Sequence, residues 1–173
     1  MNRLLKIAAL AAVVLLGACT GVPEGLTPVQ DFDGERYLGT WYEIARLDHS
    51  FERGLSKVSA TYSRREDGGI RVLNRGFNSA EGAWSEAEGR AYFTQGPEVG
   101  ALKVSFFGPF YGAYNILALD ADNYQWALVC GYNRDYLWVL ARSPVLPDDQ
   151  LQPLLDQARE LGFATDQLIF VEH

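Results

Sequence analysis

The chain has 173 residues, 48% of them hydrophobic and 21% charged, with 22 acidic against 15 basic side chains. That is enough apolar material for one core and normally for one domain. The net charge of −7 argues against a nucleic-acid partner and against simple electrostatic attachment to anionic lipid.

In chain order, the first feature is an export signal. Asn2, Arg3 and Lys6 precede a short apolar stretch, 7–16, that ends in Leu16-Gly17-Ala18-Cys19. A charged start, a greasy middle too short for a comfortable transmembrane helix and small residues before a cut site fit a secretory peptide. The tetrapeptide resembles the lipobox of bacterial lipoproteins, in which the cysteine thiol is acylated and becomes the new N-terminus. Thr20 after that cysteine, in place of Asp, resembles lipoproteins sorted on to the outer membrane. The expected organisation is a signal peptide over 1–18, a lipidated N-terminus and spacer over 19–30, and one domain over 31–173. Losing Arg3 and Lys6 takes the basic count from 15 to 13 against 22 acidic residues, a formal charge of −9 on the mature chain. With Cys19 acylated, Cys130 has no disulfide partner and reads as a small buried hydrophobe.

Strand signals dominate the domain. Short β-branched and aromatic runs fall at 41–47, 58–63, 70–74, 86–93, 102–107, 113–119, 125–130 and 136–141, separated by compact turn sequences such as Asp67-Gly68-Gly69 and Asn133-Arg134-Asp135. One helix follows over 148–161, opened by Pro147 with Asp148 and Asp149 and stopped before Gly162. Leu151, Leu154, Leu155, Ala158 and Leu161 share one stripe of it. A short ninth strand is expected over 168–171. The predicted fold is therefore all-β: an eight-stranded up-and-down antiparallel barrel, one C-terminal α-helix packed outside, and a short ninth strand.

The chain offers catalysis little. Its two histidines are His49, in a loop, and His173, at the terminus, so a Ser-His-Asp or Cys-His site would need a loop residue or a tail. Neither a Cys/His cluster for zinc nor a phosphate-cradling loop is present. The expectation is a binding protein and not an enzyme, with no metal and no cofactor; haem in particular would lack an inward histidine.

Gly39-Thr40-Trp41-Tyr42 resembles the first signature block of the lipocalins, built around Gly-x-Trp. Asp120 stands where the second block carries its Asp, with Ala121 in place of the usual Tyr, and Arg142 occupies the third-block Arg. With segments 48–54, 103–112 and 135–138 in order behind a lipobox, the chain is similar to the bacterial outer-membrane lipoprotein lipocalins, the apolipoprotein D-like branch. The resemblance implies that Gly39, Trp41 and Arg142 form a structural barrel floor, with the Arg over the Trp ring. It also implies a lipid ligand, fatty acid or lysophospholipid, carried for envelope maintenance, and a homodimer.

The resemblance sets the phase of the strands, since side chains alternate inward and outward. Trp41, Glu43 and Ala45 are then expected inward, with Tyr42, Ile44 and Arg46 outward. The expected lining is Ala60, Tyr62, Val72, Asn74, Val104, Phe106, Tyr114, Ile116, Tyr136 and Trp138. Burial of an acyl chain there is worth about 0.8 kcal/mol per methylene. Arg46, His49 and Arg53 are candidates for a rim that meets a phosphate head group. A barrel filled by its own side chains, serving as a structural or interaction lipoprotein, is the alternative, as is another small hydrophobic ligand. The expected location is the periplasmic face of the outer membrane, by way of the acyl anchor.

Overall fold

The computed structural model describes residues 20–173; the signal peptide and Cys19 lie outside the described residues. Eight strands run up and down in sequence: β1 (Gly39–Arg46), β2 (Leu55–Arg64), β3 (Ile70–Asn78), β4 (Ala83–Phe93), β5 (Ala101–Phe107), β6 (Phe110–Leu119), β7 (Trp126–Cys130) and β8 (Leu137–Ala141). Each pairs antiparallel with the next, and β1 closes the ring by pairing with both β2 and β8. Closure removes the sheet edge that an open meander would expose. A one-turn helix, α1 (Gly34–Tyr37), precedes β1, a 13-residue helix, α2 (Asp148–Glu160), follows β8, and a two-residue strand, β9 (Ile169–Phe170), pairs with Ala45 and Arg46. The predicted architecture thus holds, with strand ends that differ by a few residues from the expected ones because tight turns let β2, β3, β4 and β6 run on.

Alternation sorts the apolar residues into two cores. Trp138 and Leu140 of β8 join Trp41, Tyr62, Val72, Ile116 and Val129 inside the barrel. Leu137, Val139 and Ala141 point outward, where they meet Leu151, Leu154, Leu155 and Ala158 of α2. Each fully buried leucine of that interface is worth about 1.5–3 kcal/mol. The helix starts with Asp148 and Asp149 in its first turn, where carboxylates favour the helix dipole. It stops at Gly162, whose φ of +89° lets Phe163 N–H reach back to Ala158 C=O.

Cys130 lies in this outer core, fully buried. Burial pushes its thiol up to about 12, against a smaller opposing effect of the Asn115 side chain. Since the thiolate is the reactive form, the native protein at pH 8 is expected to leave Cys130 unmodified by a thiol-reactive dye over an hour. Labelling should go to completion in denaturant. Rapid labelling of the folded chain would contradict this placement.

One β-bulge changes what the barrel contains. Pairing of β1 with β8 shifts register between Glu43 and Ala45, and the extra residue reverses the inward–outward order beyond it. Ile44 and Ala45 both lie in the outer core, and Arg46 turns in, opposite Trp138. Arg46 is therefore not an outward residue, nor Ala45 an inward one, as strict alternation from Trp41 predicts.

The segment that sequence reads as a spacer lies along the barrel wall. Gly21 C=O accepts from Asn115 Nδ2, which also donates to Gly131 C=O, and Glu24 C=O accepts from Arg134 in the β7–β8 turn. Farther on, Val29 N–H donates to Ile116 C=O and Phe32 N–H to Glu98 C=O. The chain thus enters beside the β7–β8 turn and descends to the opposite end, which α1 crosses.

Candidate functional site

The two ends of the barrel differ in what covers them. At one end, Trp41 is fully buried and its indole N–H donates to Tyr37 C=O at 2.8 Å. The Arg142 guanidinium lies 4.0 Å from the centre of the Trp41 ring and donates to three carbonyls, Arg36, Thr40 and Tyr124, at 2.7, 3.1 and 3.2 Å. Only a planar, forked cation makes those three bonds while stacked on an aromatic face. Gly39 is required twice over: its φ is +96°, and a Cβ there would come within 3.2 Å of Arg142 Nη1. Asp120 caps the adjoining β6–β7 turn by accepting from Asn123 and Gln125 N–H. Gly39, Trp41 and Arg142 meet at this closed end, as the resemblance implies.

Immediately above the floor, three tyrosine hydroxyls form a chain. Tyr37 to Tyr114 is 2.8 Å and Tyr62 to Tyr114 is 2.9 Å. Burial pushes all three phenols up, so at neutral pH they are neutral donors and acceptors. Tyr37 was not in the expected lining, because it precedes the first strand and carries no alternation signal.

Toward the open end the inward face becomes accessible. Of the expected lining, Tyr62, Val72 and Ile116 are buried in the inner core, while Ala60, Val104, Phe106, Tyr114 and Trp138 pack against it half-buried. Asn74 sits opposite Ala60, and its Oδ1 is buried without a hydrogen-bond partner in the protein. Tyr136 is half-buried beside Trp138, ring centres 6.2 Å apart. Inward residues that retain exposure in a closed barrel border space reached from the mouth. This inward face is apolar and aromatic, with the tyrosine hydroxyls and Asn74 as its polar atoms, the mix that small-molecule sites use.

The mouth holds a charge network that replaces the expected rim. Arg46 is 2% exposed and Glu43 3%; Arg46 Nη1 donates to Glu43 Oε1 at 2.7 Å, and Nη2 donates to the carbonyls of Glu52 and Leu55. Glu52 Oε2 accepts from Trp138 Nε1 at 3.0 Å and stands 2.8 Å from His49 Nε2, off the direction of the ring N–H. His49 is itself buried, stacked on Phe51 at 3.9 Å, and its Nδ1 has no partner in the protein. Arg46 and His49 are thus inside the mouth and not on a solvated rim: the bulge turns Arg46 in, and the loop after β1 folds His49 and Glu52 over it. Only Arg53 stands at the surface, where it is paired with Asp48 at 2.8 Å.

Two buried carboxylates, Glu43 bonded to the Arg46 guanidinium and Glu52 close by, titrate as a pair. Burial, then the charge of Glu52, pushes Glu43 well above the usual carboxylate range despite Arg46. Burial also acts to raise Glu52, but His49, Trp138 and Arg46 outweigh it and hold this group below its ordinary value. Glu52 had no sequence signal, since it lies in a loop whose inward fold only the tertiary structure imposes. Among the described residues, no three His, Cys, Asp or Glu side chains gather to hold a metal ion. No helix among them is long and apolar enough to cross a membrane.

Relatives match most or nearly all of the chain. The chain is 55% identical over 174 residues to the outer membrane lipoprotein Blc of Citrobacter freundii, covering 99% of this chain and 98% of that one. It is 54% identical to the protein of the same name from Escherichia coli (strain K12), with the same coverage. To apolipoprotein D of Mus musculus it is 38% identical over 148 residues, 82% of this chain and 77% of that one. Among solved structures, insecticyanin from the tobacco hornworm Manduca sexta superposes with a TM-score of 0.72 at 23% identity, covering 88% of this chain and 87% of that chain, a likeness of fold. The family profile described as Lipocalin-like domain matches residues 32–173. With its sealed floor, open mouth and outer helix, the chain belongs to the lipocalin family.

Proposed function

We propose that this lipocalin is a membrane-anchored lipid carrier, cut before Cys19, acylated on that residue and held at the periplasmic face of the outer membrane. Its barrel stores or transports a fatty acid or lysophospholipid for envelope maintenance, including under stress. The observation that carries this reading is that inward face. Trp41 is wholly buried below while Ala60, Val104, Phe106 and Trp138 stay half-buried above, so a single acyl chain has an apolar wall to lie on and a floor to stop it. The polar end is assigned to the mouth, near the unpartnered His49 Nδ1 and the exposed Arg53. Arg46 contributes indirectly, because its charge is taken up by Glu43 and two carbonyls. The names of the relatives, outer membrane lipoproteins, support the anchor and the compartment.

Native mass spectrometry on protein extracted from cell envelopes tests the carrier. One lipid per barrel, removable by delipidation and restored by added lysophospholipid, is the expected result. The same spectrum reads the proposed homodimer. No uptake at any acyl length would favour a barrel closed by its own side chains. A Cys19→Ala form is expected to leave the membrane fraction while still taking up lipid, which separates anchor from pocket.

A further inference from the structure

The eight-stranded meander puts the loop after β1 and the β3–β4, β5–β6 and β7–β8 turns at the open end, and the remaining turns at the floor. Apart from Phe170 on β9, which is 55% exposed on the barrel wall, the most exposed aromatic residues follow that division. Phe107 and Phe110 face each other across the two-residue Gly108-Pro109 turn and are 81% and 71% exposed, and Phe51 in the loop after β1 is 61% exposed. Trp84, next to the β3–β4 tip, is 46% exposed, with Arg75 over its ring. The turns at the floor carry no exposed aromatic side chain; they carry Glu66, Asp67, Glu98, Asp120 and Asp122 against Arg65. A soluble face gains nothing from phenylalanines held at a hairpin tip, whereas an interface between water and hydrocarbon accepts such rings.

The path of the N-terminal segment supplies an independent observation. Gly21 is pinned to Asn115, midway along β6, and Glu24 to Arg134, which places the first described residues against the outer wall beside the β7–β8 turn, one of the open-end turns. The described chain thus begins on the outer wall beside the β7–β8 turn, and an anchor attached ahead of it starts from that side of the barrel.

The geometry points to a fixed orientation on the bilayer: the open mouth of the barrel faces the membrane, and Phe107 and Phe110 of the β5–β6 tip enter its acyl region. This rests on the proposed anchor at Cys19 and deepens it, because it gives the ligand a route between bilayer and barrel that does not cross water. The tether and the apolar tip act as two signals, which stable membrane attachment requires. The acidic floor is turned away, where anionic head groups would repel it.

The test uses the full lipidated chain in vesicles of phosphatidylethanolamine and phosphatidylglycerol at 3:1. A polarity-sensitive dye is placed on Phe107→Cys or, as the floor control, on Glu66→Cys; buried Cys130 is spared in the native fold. At position 107 the emission is expected to shift to the blue and to fall at least threefold when the lipids carry brominated acyl chains, with neither change at 66. Quenching at 66, or a water-like signal at 107 while the protein still floats with the vesicles, overturns the orientation and leaves the anchor standing. Failure to float overturns the anchor, and the orientation with it. A blue shift at 107 that grows with protein concentration and resists brominated lipid means that a second copy covers the tip, and also overturns it. A Phe107→Ser/Phe110→Ser form should stay tethered and keep its lipid affinity while loading lipid from vesicles about tenfold more slowly; an unchanged loading rate counts against insertion.

Discussion

Replacing Trp41 by alanine should cost about 3–5 kcal/mol of folding stability, the range for deleting a large aromatic residue from a packed interior. The indole is fully buried, stacks 4.6 Å from Tyr37 by ring centres, carries the Arg142 guanidinium on its other contacts and donates to Tyr37 C=O. Alanine leaves a cavity that β1 cannot collapse into, since its backbone is paired on both sides with β2 and β8. It also takes away the ring that holds Arg142 over three carbonyls. Trp41→Phe keeps a ring and loses the hydrogen bond, so about 1–2 kcal/mol is expected from the missing bond and the smaller volume. Urea denaturation followed by circular dichroism measures both. A loss below about 1 kcal/mol for the alanine form would mean that the floor is held by something other than this stack.

Removing the cation from the mouth should be nearly as damaging, and its effect should depend on pH. Arg46→Met leaves Glu43 buried without its ion-pair partner, Glu52 without the nearby positive charge, and the carbonyls of Glu52 and Leu55 without a donor. Breaking a buried pair on one side typically costs about 3–5 kcal/mol, because an uncompensated charge remains. In the native protein, the raised Glu43 carboxyl stabilises the fold fully below its unfolded value of 4.5 and loses that contribution as pH rises through its higher folded value. Glu52, held low, acts in the other sense: its contribution is present above its unfolded value of 4.5 and lost as pH falls through its depressed folded value. Without Arg46 both carboxyls move up. The deficit of Arg46→Met against wild type is therefore largest at pH 8 and shrinks at pH 5, where the buried carboxyls take up protons. Equal deficits at the two pH values would contradict the network. A form with Arg46→Met, Glu43→Gln and Glu52→Gln together is expected to regain most of the lost stability at pH 8, since no buried charge is left unpaired.

Much of this molecule is legible in its sequence because period-2 patterning is a local property. Trp138 and Leu140 on one face of β8, and Leu137 and Val139 on the other, announce a strand apolar on both sides. The stripe Leu151, Leu154, Leu155 and Ala158 supplies the helix that covers the outer one. The floor residues Gly39, Trp41 and Arg142 were named through the resemblance to the lipocalins, since no local pattern joins residues about a hundred positions apart; their contacts belong to the tertiary structure.

What escaped is the content of the mouth. A single extra residue between Glu43 and Ala45 leaves no trace in composition, yet it reverses the facing of everything after it and brings Arg46 in against Trp138. His49 and Glu52 lie in a loop, where no periodicity constrains facing, so only their contacts with Arg46 and Trp138 decide that they are buried. The same holds for the first residues of the domain. Composition reads 19–30 as a loose spacer, whereas hydrogen bonds donated by Asn115 and Arg134, and one from Val29 N–H to Ile116 C=O, lay its described part against the wall.

By itself, then, the sequence determined an all-β barrel with an outer helix, because hydrophobic periodicity and turn chemistry act over a few residues at a time. Only the tertiary structure decided which charges share the mouth and how residues 20–32 run along the wall. Those outcomes depend on register between strands and on contacts between residues far apart in the chain, which no local pattern encodes.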